Sequence, residues 1–207
     1  HDPPPRAVPQ CWKKILTSYK TAGMNCVRAY FHWGFHNPEE NTLIFEDNRD
    51  INYFFSLCEE LGLYVFVAAG PYICAETQAG GFPNWLIAKR NIRIKHMKRN
   101  FLNEYDPEYM HYCQVYFQKF ISQMKHHQIT ENPTGCILAF QIENEYSKRF
   151  FLYKGLRQYM EELTQIARKS GITVPTFHND VYEVGSWNQG EVDIPCFDKY
   201  PINQGLG

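Results

Sequence analysis

The sequence predicts an α/β fold: a parallel sheet under amphipathic helices, forming part of a (β/α)8 TIM barrel. Three observations predict it. Short runs that are apolar nearly throughout alternate with longer stretches of helical spacing, the pattern of strands covered on their outer face. Polar residues gather where those runs end: Glu76, Asn144 and Glu145, Asn179 and Asp180, and Asp198. A barrel brings all its strand C-termini to one mouth, whereas an open doubly wound sheet, the other architecture that fits, spreads them along an edge. The barrel is the favoured reading. The chain of 207 residues holds about five strands where a closed barrel needs eight and typically about 250 residues, so the barrel is incomplete.

The elements follow in order. "CWKKILTSYKTAG" places Trp12, Ile15, Leu16 and Tyr19 on one helical face, and Gly23 suits its C-terminal cap. "MNCVRAYFHW" reads as a strand, "DINYFFSLCEELG" as a helix stopped by Gly62, and "LYVFVAAGPYI" as the next strand. The segment "AETQAGGFPNWLIAKRNIRIKHMKRNFLNEY" is a long insertion of the kind more often functional than decorative. Asp106 as N-cap and Pro107 at the first helical position open the helix running to "HHQI". "GCILAFQIENEY" is a strand, "LYKGLRQYMEELTQIARKSG" a helix ending at Gly171, and "VPTFHND" and "VDIPCFDKY" two further strands. Residues 1–207 are expected to form one partial catalytic domain.

Composition excludes several functions. The chain is 44% hydrophobic and 16% aromatic, enough for a core, and its formal charge of -1 gives no electrostatic argument for nucleic acid or an anionic membrane. No apolar stretch has the length of a membrane span. The 7 cysteines are scattered and odd in number with no C-x-x-C pair, against a structural zinc site and a complete disulfide framework. Cys26, Cys74, Cys136 and Cys196 are expected as small buried hydrophobes. His32 and His36 have helical metal-ligand spacing, but they flank a strand end, so packing is favoured over a metal. His126 and His127 are expected at the surface near a helix end. Neither a dinucleotide fingerprint, a P-loop nor a G-x-S-x-G elbow occurs, and no cofactor is expected.

"GPYICAETQAGGFPNWL" at Gly70 to Leu86, together with "QIENEY" at Gln141 to Tyr146, resembles family 35 of the glycoside hydrolases, the β-galactosidase family. "GMNCVRAYFHWGFHNPEENTLIFE" at Gly23 to Glu46 is similar to that family's next most recognisable stretch, and "CWKKIL", "VPTFHND" and "VDIPCFDKYP" match at lower specificity. The resemblance implies a (β/α)8 barrel that removes terminal β-galactose with retention, of which this chain would hold about strands 2 to 6 with their helices. It implies Glu145 as acid/base, Asn144 on the sugar 2-hydroxyl, and the backbone of Cys74 and Ala75 with the side chain of Glu76 on other hydroxyls. Tyr30 would contact the sugar as well. The nucleophile would be a glutamate ending a seventh strand, a position that nothing in this sequence occupies. The implied partner is a galactoside or oligosaccharide. The family alone favours an extracellular or lysosome/vacuole-like compartment, and nothing indicates an oligomeric state.

Elementary chemistry reaches the same place by another route. A retaining glycosidase needs two carboxyls about 5–5.5 Å apart, one protonated and one ionised. Glu143 rivals Glu145, since a regular strand puts both on one face; chemistry alone leaves the two even, and the resemblance favours Glu145. Structural pairing near the mouth is the alternative for Glu143, a solvated loop position for Glu76, and buried packing for Cys74. Tyr30, Phe31, Trp33 and Phe35 could form a sugar-stacking wall or pack in the core. The sequence departs from the family at His32, Thr77 and Ser147, all flanking the sugar site. A non-catalytic carbohydrate-binding relative on the same barrel is the alternative function.

Overall fold

The computed structural model describes residues 8–95, 105–146, 155–180 and 192–198. Five parallel strands form one sheet: β1 (Cys26–Tyr30), β2 (Tyr64–Ala68), β3 (Ile137–Gln141), β4 (Thr176–Asp180) and β5 (Ile194–Phe197). They lie side by side in sequence order, β1-β2-β3-β4-β5. A doubly wound sheet reverses its order at a switch point; this one never does, so it is an arc of a barrel wall. Each strand is shorter than its apolar run. β1 stops at Tyr30, where the pairing with Ala68 ends, and Trp33–His36 turns at once into the short helix α2.

The principal helices start and stop where side chains supply the missing partners. α1 (Pro9–Thr21) has proline in its first turn and buries Trp12 and Leu16. In α3 (Ile51–Leu61) the Asp50 carboxylate accepts from Tyr53 N at 3.0 Å, and Gly62 closes the helix in the left-handed region at φ 62°. α4 (Asn84–Ala88) is a single turn in the insertion. α5 (Pro107–Met124) begins with Asp106 accepting from Glu108 N at 3.0 Å and Tyr109 N at 3.3 Å. Its buried stripe runs Tyr109, Cys113, Tyr116, Phe117, Phe120 and Met124, the spacing of one helical face. α6 (Gly155–Ser170) packs against α5 and buries Tyr159, Leu163, Ile166 and Ala167.

The core sits between the sheet's outer face and these helices. Val27, Ala29, Val65, Val67 and Phe140 point into it. Phe31 meets Phe54, Phe55 and Phe120 with ring centroids 5.7, 5.5 and 5.3 Å away, and Trp33 stacks on Tyr116 at 4.9 Å. The other face, which lines the barrel interior, carries Arg28, Tyr30, Phe66, Gln141, Phe177 and Asn179. His127 differs from expectation. Only His126 is exposed; a 3-10 turn at Lys125–His127 carries His127 inward, where Nδ1 lies 2.7 Å from Glu59 Oε1 and the ring packs on Phe55. Among the described residues no helix is long and apolar enough to cross a membrane.

Candidate active site

Parallel strands in sequence order place their C-terminal ends together. Tyr30 ends β1, Cys74 to Glu76 follow β2, Asn144 and Glu145 follow β3, Asn179 lies in β4, and Asp198 follows β5. All six sequence-predicted site residues therefore stand at the mouth of the arc.

Beyond Gln141 the β3 backbone leaves regular geometry, with φ of 59° at Glu143 and 50° at Glu145. Both lie in the left-handed region that side chains other than glycine rarely adopt. Glu143 N donates to Gly70 O at 3.2 Å, and Glu145 N donates to Asn179 O at 3.1 Å. Strand alternation thus fails here, and the two carboxylates part company. Glu143 turns away from the interior and is fully buried, accepting from Tyr159 Oη at 2.6 Å and pairing with Lys95 Nζ at 3.2 Å. Its structural reading is the one the geometry matches. Glu145 stays half-buried at the mouth. Burial pushes its carboxyl above the ordinary glutamate range, a hydrogen bond with Asp198 and that residue's charge push further, the Arg28 guanidinium opposes, and Glu76 adds a little.

A chain of polar side chains crosses the interior below these groups. Arg28 donates to Gln141 Oε1 through Nε at 2.9 Å and Nη2 at 2.6 Å, and Nη2 also reaches Asn144 Oδ1 at 3.1 Å. Gln141 Nε2 donates to Asn179 Oδ1 at 2.7 Å, Glu143 O at 2.7 Å and Asn144 Oδ1 at 3.2 Å. Asn179 Nδ2 donates to Asp198 Oδ2 at 2.7 Å and Asn144 Oδ1 at 3.2 Å. Arg28 and Gln141 were not singled out from sequence. The available signal was a charge inside an apolar strand, two residues before Tyr30 and hence on its face.

His178 braces the same loop from behind. Its Nδ1 lies 2.8 Å from Ile142 O and its Nε2 3.1 Å from Tyr146 O, so one buried ring grips both ends of the segment carrying Glu143, Asn144 and Glu145.

The loop after β2 is wound tightly. Cys74, Ala75 and Glu76 have φ of 56°, 48° and 48°, and Thr77 returns both its N–H and its hydroxyl to Cys74 O at 3.0 Å. Gly80 at φ 60° lies against the Tyr72 ring, where an added Cβ would come within 1.8 Å of a ring carbon. No larger residue fits that turn. Cys74 is half-buried at the mouth and not a core residue as expected, because the left-handed turn lifts it off the sheet. Cys26 and Cys196 are also half-buried, since they face the barrel interior and not the helices; Cys136 is buried. Glu76 is exposed, yet its charge acts on both Tyr30 and Glu145. Tyr30 is half-buried under the Arg28 guanidinium, 4.8 Å above its ring. Burial raises its hydroxyl pKa, Arg28 opposes, and Asp198 and Glu76 add to the rise.

Of the aromatic wall, Phe31 and Trp33 belong to the core and Phe35 is exposed. A cleft of about 250 Å³ beside it is lined by His32, Phe35, Thr77, Gln78, Phe82 and Asn84. His32 and Thr77 are two of the three departures from the family pattern; Ser147 lies outside the described residues. His36 packs on Phe45 and donates to Ile44 O at 3.1 Å, and burial pushes its pKa down to about 4. Among the described residues no group of three or more His, Cys, Asp or Glu is poised to hold a metal.

This fold and mouth define a class, the barrel glycosidases. The fold is similar to that of β-galactosidase from the psychrophilic Marinomonas ef1, with TM-score 0.66 and 13% identity, covering 93% of this chain and 39% of that one. The β-galactosidase of Rahnella sp. R3 superposes equally well, with TM-score 0.66 and 13% identity over 94% of this chain and 37% of that one. A match to the family described as Glycosyl hydrolases family 35 spans residues 3–203, and the chain belongs to that family. It is 32% identical over 207 residues to a protein named "Probable beta-galactosidase B" from Pyrenophora tritici-repentis, and 35% identical over 210 residues to one of the same name from Aspergillus niger. These alignments cover 93% and 94% of the chain but 20% of each relative, so it spans about one fifth of their length.

Proposed function

We propose that the chain is the acid/base half of a retaining exo-β-galactosidase acting on terminal, non-reducing β-D-galactose. Residues 1–207 form one partial catalytic barrel in this reading. Glu145 donates a proton to the departing oxygen and then, as carboxylate, activates water against the glycosyl intermediate. The nucleophile is a second glutamate outside this chain. Asn144 holds the 2-hydroxyl, while the Cys74 and Ala75 backbone, Glu76 and Tyr30 receive the other hydroxyls. Asp198 enters this scheme as the neighbouring carboxylate whose hydrogen bond and charge keep Glu145 toward its protonated form.

The observation that carries the reading is Glu145 itself: a half-buried carboxyl at the mouth, pushed toward its protonated form by burial and by Asp198. The test is Glu145→Gln in the complete protein. Turnover of lactose, a poor leaving group, should fall about 10²–10⁴-fold, with 4-nitrophenyl galactoside less affected in the glycosylation step. An unchanged rate on lactose would remove the acid/base role. Tight galactose binding by the wild type, with no turnover of either substrate, would instead support a non-catalytic relative.

A further inference from the structure

The polar chain across the barrel interior has a direction. A guanidinium has donors only, so the Gln141 atom facing Arg28 at 2.9 and 2.6 Å must be oxygen. That assignment turns Gln141 Nε2 toward Asn179 Oδ1 and Asn144 Oδ1. Asn179 must then present Nδ2 to the Asp198 carboxylate and to Asn144 Oδ1. Three N–H groups, from Arg28, Gln141 and Asn179, converge on Asn144 Oδ1 at 3.1, 3.2 and 3.2 Å. Every amide between the cation and the carboxylate is fixed without choice. The Asn144 amide can offer the mouth only its Nδ2, which has no hydrogen-bond partner among the described residues.

We propose that Arg28 is a positioning residue that sets Asn144 as a hydrogen-bond donor toward the sugar, so that this site reads an acceptor oxygen at the sugar's 2-position. This rests on the galactosidase reading above. Arg28 does not touch the sugar in this scheme; it acts through Gln141 and Asn144. Removing it takes both donors from Gln141 Oε1 and the charged donor from Asn144 Oδ1. Glu143 O and the Asp198-oriented Asn179 still hold the neighbouring amides, so Asn144 keeps its polarity through neutral donors alone and is held less firmly. The 2-hydroxyl contact strengthens as the glycosidic bond breaks, so the loss belongs to kcat/KM on substrates that carry that hydroxyl.

The experiment compares 4-nitrophenyl β-galactoside with its 2-deoxy analogue in the complete protein, each at the top of the variant's own pH profile. Arg28→Met removes the donors. Gln141→Glu keeps an acceptor for Arg28 but has no N–H for Asn144 or Asn179. Both should lower kcat/KM on the galactoside by about tenfold or more, the scale of a charge-assisted hydrogen bond. On the 2-deoxy substrate both should stay within about twofold of wild type. Arg28→Lys, a single-point cation without the fork, should recover part of the loss. Equal losses on both substrates would make Arg28 structural only, and no loss on either would make it idle; each outcome overturns the proposal while the galactosidase reading stands. A wild type inactive on both substrates overturns that reading and the inference with it.

Discussion

Glu143 makes a quantitative demand on its partner. Its side chain has no solvent exposure, while Lys95 retains 22% and lies 3.2 Å away. The carboxylate also accepts from Tyr159 at 2.6 Å and from Asn144 N at 3.3 Å. Lys95→Met would leave those two hydrogen bonds and take away the countercharge, leaving a negative charge buried without compensation. Breaking a buried pair from one side costs about 3–5 kcal/mol; solvent reaching the vacated Nζ position tempers this to about 2–3 kcal/mol. Glu143→Gln is milder, about 1–2 kcal/mol, because the freed ammonium can turn to water and the amide still accepts from Tyr159. The double variant should therefore be more stable than Lys95→Met alone. Equilibrium urea unfolding of the complete protein, followed by aromatic fluorescence, measures all four corners of the cycle. Additivity within about 0.5 kcal/mol, or a Lys95→Met no worse than Glu143→Gln, would refute the claim that this pair stabilises the loop.

Two further changes probe the same region. Asp198→Asn removes the hydrogen bond and the charge that raise the Glu145 pKa, so that pKa falls. Since the acid must be protonated, the alkaline limb of kcat/KM should move to lower pH; a limb that stays or rises would contradict the assignment. His178→Phe strips two contacts from the buried carbonyls of Ile142 and Tyr146 and should cost about 1–3 kcal/mol of stability, with kcat reduced more than KM is raised. Stability lost with kcat intact would show that the brace does not hold the Glu145 loop.

Much of the frame was legible because local chemistry dictates it. Asp50, Asp106 and Gly62 cap helices where their side chains or backbone freedom say they should, and the apolar runs became strands. The arc order followed from polar residues at strand ends. The strand lengths were not legible, since ladder pairing and not apolarity ends β1 at Tyr30. Glu143 was read with Glu145 because period-two alternation assumes extended backbone; the left-handed residues that separate them depend on hydrogen bonds to Gly70 and Asn179, which are distant in sequence. His127 and Lys95 acquire partners on other elements, at Glu59 and Glu143, and no window around either residue contains that information. Arg28 was visible as an anomaly, but its role exists only across the sheet.

The left-handed backbone at Glu143 and Glu145, with φ of 59° and 50°, bears on any attempt to toughen the protein. A Cβ costs about 1–2 kcal/mol in that conformation; glycine avoids the cost and asparagine lessens it. A laboratory selection scored only on heat resistance would drift toward those two residues at 145, whereas the buried pair with Lys95 and the Tyr159 hydrogen bond hold Glu143 in place. At 145 each step in that direction removes the proposed proton donor, so durability and turnover oppose one another at a single peptide unit.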